Sequence, residues 1–70
     1  MFSEQINHWF TVHPPTDKQR ESYELVREAG KALANTINRY CPDGADKSAA
    51  IRKVREAVMT ANAAIACEGK

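Results

Sequence analysis

Pro42 and Gly44 stand two residues apart between two long stretches of helical periodicity, and this break constrains the fold more than any other feature. Proline cannot continue a helix, and a nearby glycine lets the chain reverse. Cys41-Pro42-Asp43-Gly44 therefore reads as a turn. A connection this short between long helices makes them antiparallel neighbours.

Upstream, Tyr23, Val26, Gly30, Leu33, Ile37 and Tyr40 recur at three- and four-residue steps, the signature of a buried stripe. They predict a first long helix within residues 16–41, from about Asp17 to Tyr40. Gly30 lies inside that stripe and costs about 1 kcal/mol against alanine, so a close backbone approach is the reason expected for it. A second stripe (Ser22, Leu25, Ala29, Ala32, Thr36) is mostly small and suits the approach of another helix. Glu21, Glu24, Glu28, Lys31, Asn35 and Asn38 form the opposite face, expected to be solvated. Downstream, Ile51, Val54, Val58, Ala61 and Ile65 predict a second long helix within residues 46–67, from about Lys47 to Cys67. Asp46 and Ser48 are both suited to cap it. Glu68-Gly69-Lys70 is expected to fray.

The arm, residues 1–15, holds a short amphipathic helix over residues 2–10, with Phe2, Ile6, Trp9 and Phe10 on one face. Four large apolar residues on so short a helix must dock on something. Pro14-Pro15 stiffens the link that follows. Thr16 is a good N-cap, and Gln19 stands three residues later, as a capping box requires. Thr11-Val12-His13 is too short to pair as a strand. The fold class is all-α: one domain over residues 1–70, an antiparallel helical hairpin with a short N-terminal helical arm.

Seventy residues bury proportionally little surface. Ordering the backbone costs roughly 1–2 kcal/mol per residue, which a two-helix monomer barely offsets. Cys41 and Cys67 offer no obvious staple, and His8, His13 and the two cysteines show no metal-ligand spacing. No signal peptide or membrane-spanning run is visible, so the protein is expected in the cytoplasm with reduced thiols. The surplus of apolar and small-residue faces predicts a symmetric homo-oligomer.

Ten basic and nine acidic residues give a net charge of +1. That is too weak for a DNA or RNA polymer, which needs a concentrated basic face. It permits a few arginines aimed at a small anion. No serine sits in a glycine-bearing elbow, no glycine-rich phosphate loop is present, and Glu24 and Glu28 read as surface ion-pair partners of Arg20, Arg27 and Lys31. Binding is expected rather than catalysis, with neither metal nor cofactor. Trp9, Phe10 and His13 supply rings beside the helix start at Thr16, where free N–H groups attract anions; the same stretch also reads as a plain helix start with an apolar anchor. Arg27 lies eleven residues beyond Thr16, so it can meet that site only on a neighbouring subunit; otherwise it pairs with Glu24. Arg52 and Arg55 either pair with Glu56 or Asp46 or ring an anion at a symmetry axis.

Four segments carry a resemblance. They are His13-Pro-Pro-Thr16-x-x-Gln19, Tyr23-Glu-Leu-Val-Arg27-Glu-Ala-Gly30-Lys-Ala-Leu33-Ala, Cys41-Pro-Asp, and the run from Ser48 through Arg52, Arg55 and Val58 to Ala-Asn62-Ala-Ala-Ile65-Ala. Together they resemble the phage hairpin-domain family that includes anti-CBASS protein 2 and Thoeris anti-defence protein 1. The resemblance runs from about Phe10 to Cys67, and its most telling parts are the His-Pro-Pro-Thr start and the Ala-Asn-Ala-Ala-Ile-Ala finish. It implies a sponge that binds nucleotide second messengers of antiphage defence without cleaving them. The anti-CBASS branch, closer to a chain this short, implies a hexamer with one pocket for cyclic dinucleotides and another for cyclic trinucleotides. In the first, Phe10 or Trp9 with His13 would stack on a base, Arg27 would hold phosphate, and Thr16 would give a hydroxyl or backbone donor. In the second, Ser48, Arg52, Arg55 and Met59 would gather at a three-fold axis. The alternatives are a sponge for the cyclic ADP-ribose isomers of Thoeris defence and a small helical protein-interaction module.

Overall fold

The computed structural model describes residues 2–69 and contains three helices: α1 (Phe2–Phe10), α2 (Asp17–Tyr40) and α3 (Ala45–Ala66). No strand occurs among the described residues. The helical hairpin expected from the Pro42–Gly44 break is present. Gln19 near the start of α2 meets Ile65 near the end of α3, and Gly30 lies against Val58, so the two helices run antiparallel.

Local chemistry sets the ends of α2. Thr16 is extended (φ −76°, ψ 166°), and its hydroxyl oxygen accepts from the Gln19 N–H at 3.1 Å. The Gln19 side-chain oxygen accepts from the Thr16 N–H at 2.9 Å, completing the capping box. The Gln19 side-chain amide also donates to the Ile65 carbonyl at 3.1 Å, so one residue caps α2 and ties it to the last turn of α3. At the other end Cys41 leaves the helix (φ −97°, ψ 137°), as the residue before a proline must.

Neither Asp46 nor Ser48 caps α3. Gly44 does, at φ +156°, and the helix begins at Ala45, two residues earlier than expected. A side chain would be strained at that φ, so glycine lets the chain turn straight into the helix. Asp46 sits in the first turn, where its charge favours the helix dipole. Lys47 reaches back to Asp43 at 2.8 Å across the turn. That hydrogen bond, then the charge of Lys47, holds the Asp43 carboxyl below its usual value of 3.8.

Glu68 and Gly69, expected to fray, are held by backbone hydrogen bonds. After α3, which ends at Ala66, the Glu68 N–H donates to the Ile65 carbonyl and the Gly69 N–H to the Ala64 carbonyl, at 3.3 and 2.9 Å. These are the two bonds of a Schellman turn, with Glu68 in the left-handed region at φ 54°. Lys70 lies outside the described residues.

Two helices side by side enclose nothing, and no described residue is fully buried. The chain measures 44 × 28 × 14 Å, one helix thick, with a radius of gyration of 15.1 Å. A compact domain of this length has about 11 Å. Its accessible surface is 5891 Å², about 1,500 Å² more than the ~4,400 Å² of a compact monomer of this mass. The stripes meet along one seam: Val26, Gly30 and Ile37 on α2 and Val54, Val58 and Ala61 on α3 are half-buried. Leu33 and Tyr40, read as part of the buried stripe, remain 52% and 73% exposed, because a single neighbouring helix covers only part of α2.

Gly30 marks the closest approach. A Cβ there would overlap Val58 Cγ2, with Val54 Cγ1 at 3.9 Å. The glycine does what its place in the stripe predicted.

Candidate functional site

Two regions hold the residues singled out in the sequence, and they lie apart. The first is the arm. Helix α1 does not pack along its length against α2 or α3. Histidines fasten it at its end instead. The His8 ring donates from Nε2 to the Cys67 carbonyl at 3.1 Å, joining α1 to the end of α3. The His13 ring donates from Nε2 to the His8 carbonyl at 2.7 Å, and the two rings lie 4.6 Å apart, tilted by 46°. Carbonyl oxygens only accept, so each ring carries its proton on Nε2 here. The Thr11 hydroxyl donates to the Asn7 carbonyl and closes the last turn of α1. His13 thus serves as the joint of the arm, with one ring edge already engaged.

Phe10 projects from this joint 83% exposed, and Trp9 is 48% exposed. Trp9 overhangs a recess of about 430 Å³ at the end of α3, walled by Thr60, Ala63, Ala64 and Cys67. Thr16 spends its N–H and accepts at its hydroxyl within the capping box. Arg27 is about 16 Å further along α2, at 1.5 Å per residue, so it does not reach this group within one chain.

The second region is the hairpin itself, which carries a groove on each broad face. On one face a groove of about 430 Å³ is walled by Val26, Ala29, Leu33, Ala57 and Ala61, with Lys53 at its edge. On the other a groove of about 280 Å³ has Arg27 and Lys31 on the α2 side and Arg55 and Met59 on the α3 side. Gly30, Val54 and Val58 form the floor of both. Among the described residues Arg27, Arg52 and Arg55 form no ion pair; Arg20 pairs with Asp17 and Lys47 with Asp43. Ser48 and Arg52 are exposed on α3 and line neither groove. The structure therefore unites Arg27 with Arg55 and Met59, which the sequence reading had put in separate pockets. Lys31 also borders that groove, and it is exposed together with the rest of the face expected to be solvated. Asn62, one turn past Met59, holds its Oδ1 away from solvent without a hydrogen-bond partner among the described residues.

Cys41 and Cys67 are free thiols at opposite ends of the hairpin. Among the described residues no cluster of histidine, cysteine and carboxylate side chains is placed to hold a metal ion. No helix among the described residues is long and apolar enough to cross a membrane.

Two antiparallel helices, an N-terminal arm and open grooves on both faces define a small all-α hairpin domain. The family model described as Acb2/Tad1, hairpin domain, matches residues 3–66. The chain belongs to that family, and membership implies, in broad terms, the role of a phage anti-defence sponge. Comparisons with curated proteins and with solved structures gave no significant match.

Proposed function

We propose that this protein is a phage anti-defence sponge that binds cyclic oligonucleotide second messengers of CBASS immunity in the host cytoplasm and withholds them from their effectors. Cyclic dinucleotides are the principal ligands, and cyclic trinucleotides occupy a second kind of pocket. The messenger is held and not cleaved. The observation that carries this reading is the family match over residues 3–66, nearly the whole chain.

The physical features support the same reading. About 1,500 Å² of surface in excess of a compact monomer favours assembly into a homo-oligomer, a hexamer, whose crevices enclose the ligand. Phe10, 83% exposed in the single chain, supplies a free ring face. Stacking contributes about 1–3 kcal/mol per base. Arginine–phosphate hydrogen bonds are charge-assisted and can be bidentate. Enclosure between subunits then excludes effector and water together, and function requires slow release with no turnover.

Calorimetry against cyclic dinucleotides, cyclic trinucleotides and cyclic ADP-ribose isomers tests the proposal, with sedimentation on the same samples. A folded oligomer should bind a cyclic di- or trinucleotide, and heat denaturation should return the ligand intact. Binding of cyclic ADP-ribose isomers alone would move the protein to Thoeris defence. Recovery of cleaved ligand, or a folded oligomer that takes nothing from the panel, would overturn the proposal.

A further inference from the structure

We infer that helix α1 of one copy docks in the larger groove of a second copy, with a ridge of Phe2, Ile6 and Phe10 lying between the neighbour's Ala29 and Ala57, and that the exchange is reciprocal. This deepens the assembly part of the reading above and rests on that part alone. It does not depend on which ligand is bound.

Helix α1 has nine residues, and isolated helices shorter than about 12–15 residues are marginal in water. Packing of an apolar face is what holds such a helix, yet α1 does not pack along α2 or α3 of its own chain. Phe2, Ile6 and Phe10 follow one another at four-residue steps, so they form one ridge. They are 66%, 49% and 83% exposed. Glu4 stands about 200° round the helix from Ile6, on the other side. The arm's own fastening keeps the ridge off its own groove. His8, bonded to the Cys67 carbonyl, holds α1 at the end of α3. Ala61, the near end of the larger groove, lies six residues back from Cys67, about 9 Å along the helix. A second copy carries no such restraint.

The larger groove has matching dimensions. It runs from Val26 to Leu33 on α2 and from Val54 to Ala61 on α3, about 10 Å along each helix. The ridge from Phe2 to Phe10 covers about 12 Å. Ala29 and Ala57 on the two walls are small and exposed, so a third helix can approach closely. Lys53 is the one charged residue at the border, so an apolar ridge meets an apolar wall with little polar surface to strip of water. An aromatic side chain offers about 150–250 Å². At the exposures above, and counting Phe10 by one ring face, each arm presents on the order of 300 Å² of apolar surface. The groove gives up a similar area, and a two-fold pair makes the contact twice. The total, about 1,200 Å², reaches the lower bound for a stable specific interface. Phe10 ends the ridge at the mouth of the groove. One ring face rests on the neighbour's wall, and the other stays open to the base it is proposed to stack on.

Two measurements on the full chain test the inference. In sedimentation, Ile6→Glu and Ala57→Glu should each weaken the pair about a hundredfold, from about tenfold for each charge forced into the contact and two such contacts in a two-fold pair. Glu4→Ala, on the far side of α1, should change it by less than about twofold. Circular dichroism on every variant verifies the fold. In the second measurement Ile6→Cys and Ala57→Cys are placed on separate chains, both carrying Cys41→Ser and Cys67→Ser, then mixed and oxidised. A disulfide should join the two chains, and Glu4→Cys in place of Ile6→Cys should give none. If Ile6→Glu fails to fold, the crosslink decides alone. The inference is overturned if the wild type sediments as a monomer, if folded Ile6→Glu assembles like wild type, or if Glu4→Cys crosslinks as readily as Ile6→Cys. It is also overturned if both cysteines on one chain join within that chain, because the arm then covers its own groove. Titration of cyclic nucleotides into the wild type reads the sponge proposal separately. A wild type paired through its arms that takes no nucleotide keeps this inference and sinks that reading; nucleotide binding by a wild type whose arms do not pair does the reverse.

Discussion

Replacing Gly30 with alanine sets two known effects against each other, and the structure decides between them. On an exposed helix the substitution stabilises by about 1 kcal/mol, because glycine carries the larger backbone entropy. Here the added methyl overlaps Val58 Cγ2, with Val58 Cβ at 3.8 Å and Val54 Cγ1 at 3.9 Å. Valine is branched at Cβ and in a helix keeps one strongly preferred rotamer, so the methyl cannot swing aside cheaply. The helices must separate instead, and overpacking of this kind costs about 1–3 kcal/mol. Taking the upper part of that range for a stiff neighbour, Gly30→Ala should destabilise by about 1–2 kcal/mol net. Urea denaturation followed at 222 nm, at one fixed protein concentration because assembly shifts apparent stability, measures it. The double variant with Val58→Ala removes the overlapping atom, so Gly30→Ala made in that background should recover its helix-propensity gain. Gly30→Ala more stable than wild type by about 1 kcal/mol, with no coupling to Val58 in the cycle, would refute the close-approach argument.

Gln19→Ala removes the reciprocal half of the capping box and the bond to the Ile65 carbonyl together, so it should cost about 1–2 kcal/mol. Gln19→Glu retains a cap acceptor but loses the amide donor, and in thermal melts it should fall between the two. Glu68→Gly should stabilise by up to about 1 kcal/mol in the same melts, because glycine meets no Cβ penalty in the left-handed region that Glu68 occupies. Asp43 contributes stability that is present above its unfolded value of 3.8 and lost as pH falls through its lowered folded value, since Lys47 favours the charged form. The gap in melting temperature between wild type and Asp43→Asn should therefore be small at neutral pH, as suits an exposed pair, and should close on acidification below 3.8.

Much of this fold was legible because it is written in local chemistry. The Pro42–Gly44 break, the stripe through Val54 and Val58, and the Thr16–Gln19 box each involve residues within a few turns of one another. Gly30 was legible too, since a glycine inside an apolar stripe calls for a steric reason. What escaped depends on the register of one helix against another, or on choices between equally good local signals. Asp46 and Ser48 are both sound caps, and nothing nearby in the sequence says that the backbone of Gly44 pre-empts them. His8 bonds a carbonyl 59 residues away, and no periodicity encodes that. Arg27 and Arg55 share a groove only because Gly30 sits opposite Val58; a shift of one turn would part them. The solvated face of α2 was legible as well: Glu21, Glu24, Glu28, Lys31, Asn35 and Asn38 are all exposed.

Gly30, Val54 and Val58 serve as the bottom of both grooves, so the hairpin resembles a thin partition between two rooms. Whatever presses against one side of the partition sets the shape felt on the other. A partner seated on one face would rest on the same three residues, one glycine and two valines, that floor the other face, without any hinge or moving loop between them.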